Sequence, residues 1–152
     1  MYQRILVPVD GSSVAERGLQ EAIGLAAELK ARLYVLHVIG EFPLYVEMSS
    51  AMSFDESMSR LRASGEDLLA TAKSAALDAG VPAVDTVLLE ISRGRIAEAI
   101  VEEAQKNGCN LVVMGTHGRR GISRLTMGSD AELVVRSSSV PVLLVRQDAA
   151  KA

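Results

Sequence analysis

The sequence contains no tryptophan, and aromatic residues make up only 3% of it. Proteins that bind single-stranded nucleic acid commonly stack the bases on aromatic side chains, and this chain has few side chains for that purpose. Its net charge of −3 also gives no overall attraction to nucleic acid or to an acidic membrane surface. We therefore expect no nucleic-acid partner, no membrane partner, and a core of aliphatic side chains and methionine.

Cysteine is equally scarce, since Cys109 is the only one and no disulfide can form within the chain. A lone cysteine is typical of a reducing compartment, and we interpret Cys109 as a small structural residue near the start of a strand. No apolar run reaches the length of a membrane span, and the first apolar run is too short for a secretory signal. These features predict a cytoplasmic protein.

The chain alternates between short apolar runs, typical of buried strands, and segments with helical spacing of apolar residues. This alternation predicts an α/β fold, a single open five-stranded parallel sheet with helices on both faces. Ser13 and Glu16 have the spacing of a capping box at the start of the first helix. The predicted strands are 4–9, 32–39, 84–91, 110–114 and 140–145, and the helices that follow the first four are 13–31, 56–79, 95–106 and 129–136.

The segment 40–55 has no clean period and is long for a connection within one domain. Its methionines, Met48 and Met52, and its neighbouring apolar residues favour an adaptable contact surface or lid. A partly ordered loop is the alternative. The last strand, 140–145, contains Pro141, which cannot donate a ladder hydrogen bond, so we expect this strand at a sheet edge. An apolar edge requires a cover, and we expect a homodimer through it.

Residues 114–129, "MGTHGRRGISRLTMGS", join a predicted buried strand to a predicted helix. Glycine allows a ligand to approach the backbone closely, and a Gly-Ser pair at a helix start leaves N–H groups and a hydroxyl at the positive end of the helix. Such an end binds anions, so the stretch predicts a phosphate site. The contributing residues are Gly115, Gly118, Gly121, Gly128 and Ser129, with Arg119, Arg120 and Arg124 adding positive charge.

Two common phosphate-binding motifs are absent from the sequence. A P-loop requires a lysine directly after its second glycine, and no glycine pair here is followed in that way. The dinucleotide fingerprint G-x-G-x-x-G is also missing after the first strand, which continues into "DGSS". A standard P-loop ATPase and a standard NAD-binding protein are therefore both disfavoured.

The spacing Gly115-x-x-Gly118, nine residues, then Gly128-Ser129 resembles the G-2x-G-9x-G-[ST] pattern of the ATP-binding branch of the universal stress protein family. Four segments are similar to that family's first, second, fourth and last strands, in this order: "ILVPVDGS", "LYVLHVI", "LVVMGTHGRRG" and "VPVLLVR". The resemblance implies a Rossmann-like sheet of order 3-2-1-4-5, one domain over 1–146, and homodimers. The tail at 147–152 is expected to be frayed because chain ends rarely pack. It also implies an ATP-binding sensor or switch in the stress response.

Site residues follow from the same resemblance. It implies that Gly115, Gly118, Gly128 and Ser129 hold the phosphates and ribose, and that Asp10 lies near the phosphates and a Mg²⁺ ion. Asp10 could instead act only as a turn residue before the first helix. Pro8 and Val38 would border the adenine, with the backbone of Val38 pairing to its edge. Met114 and His117 complete the candidate set, although His117 could equally be part of the loop without a role.

The sequence departs from the family's pattern at three places: Asp130 follows Ser129, Asn110 stands where aspartate is frequent, and 92–94 replaces a common helix start. Asp130 suits the helix dipole but repels a triphosphate. The other two departures look structural.

No catalytic centre is evident in the sequence. Neither His37, interpreted as a packed structural residue, nor His117 belongs to a hydrolase triad, and no Cys/His cluster has metal-ligand spacing. Since no general base is marked, any ATP hydrolysis should be slow or absent. The alternatives are a nucleotide-free interaction protein acting through its dimer and segment 40–55, and a flavodoxin-like FMN carrier, which the scarcity of aromatic residues disfavours.

Overall fold

The computed structural model describes residues 1–40, 53–117 and 127–147. Strands and helices alternate as the sequence pattern predicts, and most of their ends lie within two residues of the predicted ones. The elements in chain order are β1 (Arg4–Pro8), α1 (Ser13–Leu29), β2 (Arg32–Ile39), α2 (Phe54–Asp78), β3 (Ala83–Glu90), α3 (Ile96–Lys106), β4 (Leu111–Gly115), α4 (Ser129–Ser137) and β5 (Val142–Val145).

The five strands form one parallel sheet in the order β3-β2-β1-β4-β5. This confirms the predicted fold class and strand order. Helices α1 and α2 pack on one face of the sheet, and α3 and α4 pack on the other. Each pair of helices forms its own aliphatic cluster with the strands. The largest of the fully buried side chains are Ile5, Leu6, Val7, Leu33, Val35, Leu36, Ile100, Val112, Val113 and Val134.

The start of α1 differs from the predicted capping box. Ser12, not Ser13, is the N-cap, and its hydroxyl accepts a hydrogen bond from Ala15 N–H at 3.2 Å. Gly11 has a φ of 84° and turns the chain before the helix, while Asp10 Oδ1 accepts from Ser12 N–H at 2.9 Å. These two contacts fix Ser12 in an extended conformation outside the helix, so the box of Ser13 and Glu16 was wrong by one residue.

Two other element ends also have identifiable causes. Helix α2 begins at Phe54, two residues before the predicted start, because the hydroxyl of Ser53 caps Glu56 N–H at 3.1 Å. Strand β5 begins at Val142 rather than at residue 140. The hydroxyl of Ser138 accepts from Val140 N–H at 3.1 Å and donates to Val140 O at 2.8 Å, so both peptide groups of Val140 belong to a local turn before the strand.

The hydrogen-bonded ladder between β1 and β4 ends before the carboxyl ends of the two strands. Their ladder covers only Ile5↔Leu111 and Leu6↔Val112, whereas the β1–β2 ladder continues to Pro8↔Leu36. Since Val9 N–H points towards β2 and successive residues alternate in direction, Pro8 faces β4, and proline has no N–H to donate there. The two central strands are therefore unpaired at the carboxyl edge of the sheet, and we call this unpaired stretch the opening between β1 and β4.

Candidate functional site

The opening between β1 and β4 is the topological switch point of the sheet. From β1 the chain crosses to β2 on one side, while β4 lies on the other side of β1. Helix α1, which follows β1, packs on one face, and α4, which follows β4, packs on the opposite face. Ligands of open α/β sheets bind at such a crevice. Pro8 and Met114, both predicted site residues, lie on the strands that border it.

Thr116 joins the two ends of the glycine motif. Its N–H donates to Val145 O at 3.0 Å, and its carbonyl accepts from Gly128 N–H at 2.7 Å. Gly115 and Gly128 are thereby held beside each other, although twelve residues lie between them in the chain. Gly118 and Gly121, together with Arg119, Arg120 and Arg124, lie outside the described residues.

Helix α4 begins at this point, and among the described residues no side chain caps its N-terminus. Its N-cap is Gly128, with φ −63° and ψ 154°, and Ser129 is its first residue. A helix start without a side-chain cap leaves backbone N–H groups available to an anion. Asp130 and Glu132 place two carboxylates in the same first turn, so the helix end carries competing charges of its own.

Gly115 has a packing role that the sequence does not reveal. A Cβ on this residue would lie 2.5 Å from Val14 Cγ1 and 3.0 Å from Val14 O, both in the first turn of α1. On the helix side, a Cβ on Gly18 would lie 3.2 Å from Gly115 N. The two glycines allow α1 to approach β4 closely, next to the opening. Only a long-range contact requires them, so local pattern could not predict this role.

Asp10 and His117 both make contacts within the site region. Asp10 is half-buried just after β1 and accepts a hydrogen bond from Ser12 N–H. This bond is the turn role that the sequence analysis gave as the alternative for Asp10. His117 is half-buried beyond β4, with Nδ1 3.0 Å from the hydroxyl of buried Thr116. Within residues 1–40, 53–117 and 127–147, no group of three or more His, Cys, Asp or Glu side chains is arranged to hold a metal ion.

Val9 is a residue that the sequence analysis missed. It is buried, its N–H donates to Leu36 O at 2.8 Å, and its carbonyl lies 2.7 Å from His37 Nδ1. The packed role expected for His37 is therefore present and includes a specific hydrogen bond to the residue before Asp10. Val38, the predicted neighbour of the base, follows His37 on β2 and is half-buried.

Two residues set aside in the sequence analysis have structural roles. The pKa of the Cys109 thiol is raised to about 11, mainly because the group is buried, so the reactive thiolate is suppressed at neutral pH. Asn110 accepts from Gln3 N–H and Arg4 N–H through Oδ1, both at 3.1 Å, and donates from Nδ2 to Met1 O. It therefore joins the amino ends of β1 and β4, far from the opening.

A cavity of about 350 Å³ lies at the carboxyl ends of β2 and β3. Its wall is mainly apolar, and the ion pair between Arg62 Nε and Glu90 Oε1, 2.9 Å apart, lies at its side. It is separate from the opening between β1 and β4, because none of the predicted site residues lines it. The lining residues are Ile39, Gly40, Phe54, Met58, Arg62, Glu90, Ile91 and Ser92.

Fold and site together define an open α/β domain with its ligand crevice at the sheet's switch point. The sequence model of the Universal stress protein family matches residues 1–146. The chain belongs to the universal stress protein family, which confirms the family predicted from the sequence. No helix in the described part of the chain is both long and apolar enough to cross a membrane.

Individual relatives agree with this assignment. The chain is 35% identical to Universal stress protein MJ0531 of Methanocaldococcus jannaschii, over 97% of this chain and 84% of that protein. A solved structure of hypothetical protein MJ0577 superposes with a TM-score of 0.84 at 28% identity, covering 98% of this chain and 99% of the other. A universal stress protein solved in complex with cAMP superposes with a TM-score of 0.67 at 26% identity, covering 95% and 97%.

Proposed function

We propose that this protein binds adenine nucleotide, ATP with Mg²⁺, in the opening between β1 and β4, and acts as a sensor or switch in the stress response. The observation that carries the proposal is the hydrogen bond from Gly128 N–H to Thr116 O. It holds a helix N-terminus without a side-chain cap at the switch point. The cAMP complex of a structural relative supports an adenine nucleotide as the ligand class.

The phosphates in this proposal lie at the start of α4. Backbone N–H groups of the first turn and the hydroxyl of Ser129 donate to them, and the helix dipole favours their charge. Gly118 and the three arginines of the motif belong to the same proposal through the spacing of the sequence. Val38 and Pro8 border the base, with Met114 on the facing strand.

The donor set fits a magnesium ion that comes with its nucleotide. Mg²⁺ is usually held by one or two carboxylates, phosphates and water rather than by a protein cage. Asp10 supplies one carboxylate at the end of β1, next to the opening. When bound, the ion would neutralise phosphate charge, and Asp10 would hold it from the protein side.

Hydrolysis in this proposal is slow or absent, so the protein is at most a weak ATPase. A phosphoryl-transfer enzyme requires a residue that orients the attacking nucleophile. Asp10 Oδ1 is engaged by Ser12 N–H, and His117 Nδ1 by Thr116, so these atoms already have structural partners. The proposal includes a cytoplasmic location, which rests on the single cysteine.

We also propose a homodimer through β5. This strand is at the edge of the sheet, and Leu143 on it is 37% exposed. A two-fold partner would cover this apolar edge. Light scattering at micromolar concentration should give twice the mass of the chain, and a monomeric mass there would contradict the proposal.

One observation favours a second function, a nucleotide-free interaction protein. Asp130 and Glu132 place negative charge in the first turn of α4, where a phosphate must bind. Carboxylates there can satisfy the helix dipole without any ligand. In that case the dimer and segment 40–55, most of which lies outside the described residues, would carry the function.

The contents of the purified protein separate these functions. Mass spectrometry of the supernatant after denaturation should detect an adenine nucleotide, and added MgATP should raise the melting temperature. Empty protein that shows no shift with MgATP would support the interaction protein instead. A yellow preparation would indicate a flavin.

A further inference from the structure

The pairing of β2 with β1 follows a strict alternation. Arg32 N–H donates to Gln3 O at 2.9 Å, and Val9 N–H donates to Leu36 O at 2.8 Å. In a parallel pair, every second residue points its N–H and carbonyl to the same neighbour. Residues 32, 34, 36 and 38 of β2 therefore face β1. A regular continuation of the ladder would bring Val38 N–H to the carbonyl of Val9.

That continuation is replaced by a side chain. The carbonyl of Val9 lies 2.7 Å from His37 Nδ1, and within the described residues no hydrogen bond joins Val38 N–H to β1. Because a carbonyl oxygen only accepts, Nδ1 carries the proton. The β1–β2 register accordingly ends at Pro8↔Leu36, while the β2–β3 register continues to Ile39↔Glu90.

We propose that His37 is a positioning residue for the nucleotide base: by taking the carbonyl of Val9, its imidazole stops the β1–β2 ladder and leaves the peptide groups of Val38 free to pair with the base. This inference rests on the proposed nucleotide binding. Without the imidazole, Val38 N–H would satisfy the buried carbonyl and close the strand edge.

The fold makes room for the imidazole at a cost in helix stability. A Cβ on Gly65, in the middle of α2, would lie 2.8 Å from His37 Cδ2 and 2.9 Å from Leu88 Cδ1. Glycine inside a helix costs about 1 kcal/mol relative to alanine. The close contact explains why the helix has glycine there, and it fixes the ring against β2 so that Nδ1 reaches Val9.

The free strand edge matches adenine better than guanine. Val38 offers an N–H donor and a carbonyl acceptor on the same side of the strand. Adenine carries a ring-nitrogen acceptor beside an amino donor, whereas guanine has a carbonyl oxygen in place of that amino group. Pairing with the peptide groups of Val38 therefore favours adenine, which has the amino group. His37 affects this specificity through Val38 and does not contact the nucleotide.

Two substitutions at one position test this role. In His37→Asn the side-chain amide can place an N–H donor near the position of Nδ1, whereas His37→Leu has no donor. Isothermal titration with MgATP, MgGTP and inorganic tripolyphosphate is the measurement. Losing two neutral hydrogen bonds, worth about 0.5–1.5 kcal/mol each, weakens binding by about fivefold to 150-fold. For His37→Leu we expect this loss of affinity for MgATP, a smaller preference for MgATP over MgGTP, and unchanged binding of tripolyphosphate. For His37→Asn we expect MgATP affinity to recover.

Amide hydrogen exchange on the ligand-free proteins tests the ladder directly. In the wild type, Val38 N–H should exchange faster than the ladder amides of Tyr34 and Leu36, and in His37→Leu it should become protected. Three results would each overturn the inference: MgATP binding by the leucine variant at wild-type affinity, equal losses for MgATP and tripolyphosphate, or a Val38 amide already protected in the wild type. If the wild type binds no adenine nucleotide, the proposed function is refuted. The exchange data then test only whether His37 ends the β1–β2 ladder.

Discussion

Asp130 shows how one residue can serve the helix and oppose the ligand. It is half-buried in the first turn of α4, two residues after Gly128. A carboxylate there favours the helix dipole, but it lies close to where the proposed phosphates bind. Glu132 is in the same turn, but its Oε1 lies 2.7 Å from the guanidinium of Arg136, so its charge is compensated.

Asp130→Val should therefore tighten the binding of ATP more than that of AMP. At about 6 Å from a terminal phosphate charge and an effective dielectric constant of about 40, the repulsion is about 1.4 kcal/mol per unit charge, or about tenfold in affinity. Titration of both nucleotides against wild type and variant measures the difference. Glu132→Val is the matched control and should change little. Equal changes for ATP and AMP would show that Asp130 does not face the phosphates.

The serines before α1 give a second residue-scale prediction. Because the Ser12 hydroxyl caps Ala15 N–H, Ser12→Ala should lower the free energy of unfolding by about 1 kcal/mol. Ser13→Ala, one residue into the helix, is the matched control and should be nearly neutral. Urea unfolding of the two variants makes the comparison. A larger loss at residue 13 would restore the capping box first predicted from the sequence.

At the scale of elements, the packing of α1 on β4 determines the shape of one wall of the opening. Gly18 and Gly115 form the contact, and Val14 fills the space where a side chain on Gly115 would lie. Gly115 is a buried strand residue with no positive φ. Glycine is therefore required at residue 115 because α1 occupies the space of a side chain, and not because of the backbone conformation.

Gly115→Ala should destabilise the fold by about 1–3 kcal/mol, the usual cost of overpacking a core. Gly24→Ala is the matched control on α1, because a Cβ there meets nothing within 4 Å. It should instead stabilise the protein by about 0.5–1 kcal/mol, since alanine favours helix. Chemical denaturation tests both. A neutral Gly115→Ala would mean that α1 can shift away from β4.

The elements themselves were predictable from the sequence because their signals are local. Apolar runs and helical spacing predicted five strands and four helices, and glycines such as Gly80, with a φ of 94°, marked helix ends correctly. The errors, at Ser12 and Val140, lie where a serine side chain bonds the backbone two or three residues away. The contacts of Gly115 with Val14 and of His37 with Val9 join distant segments, and no local pattern contains them.

On the scale of the whole molecule, strand order determines where a ligand can bind. The order β3-β2-β1-β4-β5 makes β1 and β4 the strands of the switch point, and the early end of their ladder at Leu6↔Val112 opens the sheet there. The start of α4 is held at that opening through Thr116. Of the site predicted from the sequence, Gly115 and Gly128 are brought together, while Gly118 lies outside the described residues.

The most direct measurement of the central claim is the melting temperature of wild type and Gly128→Val with and without MgATP. Gly128 has φ −63°, which valine adopts without strain, so the substitution mainly places methyl groups at the proposed phosphate site. With nucleotide at about 100 times its dissociation constant, wild type should gain about 2.7 kcal/mol, roughly 5–11 °C for a chain of this length. Gly24→Val, at an open position on α1, should keep this shift, and Gly128→Val should lose it. An equal shift in all three proteins would contradict nucleotide binding at the start of α4.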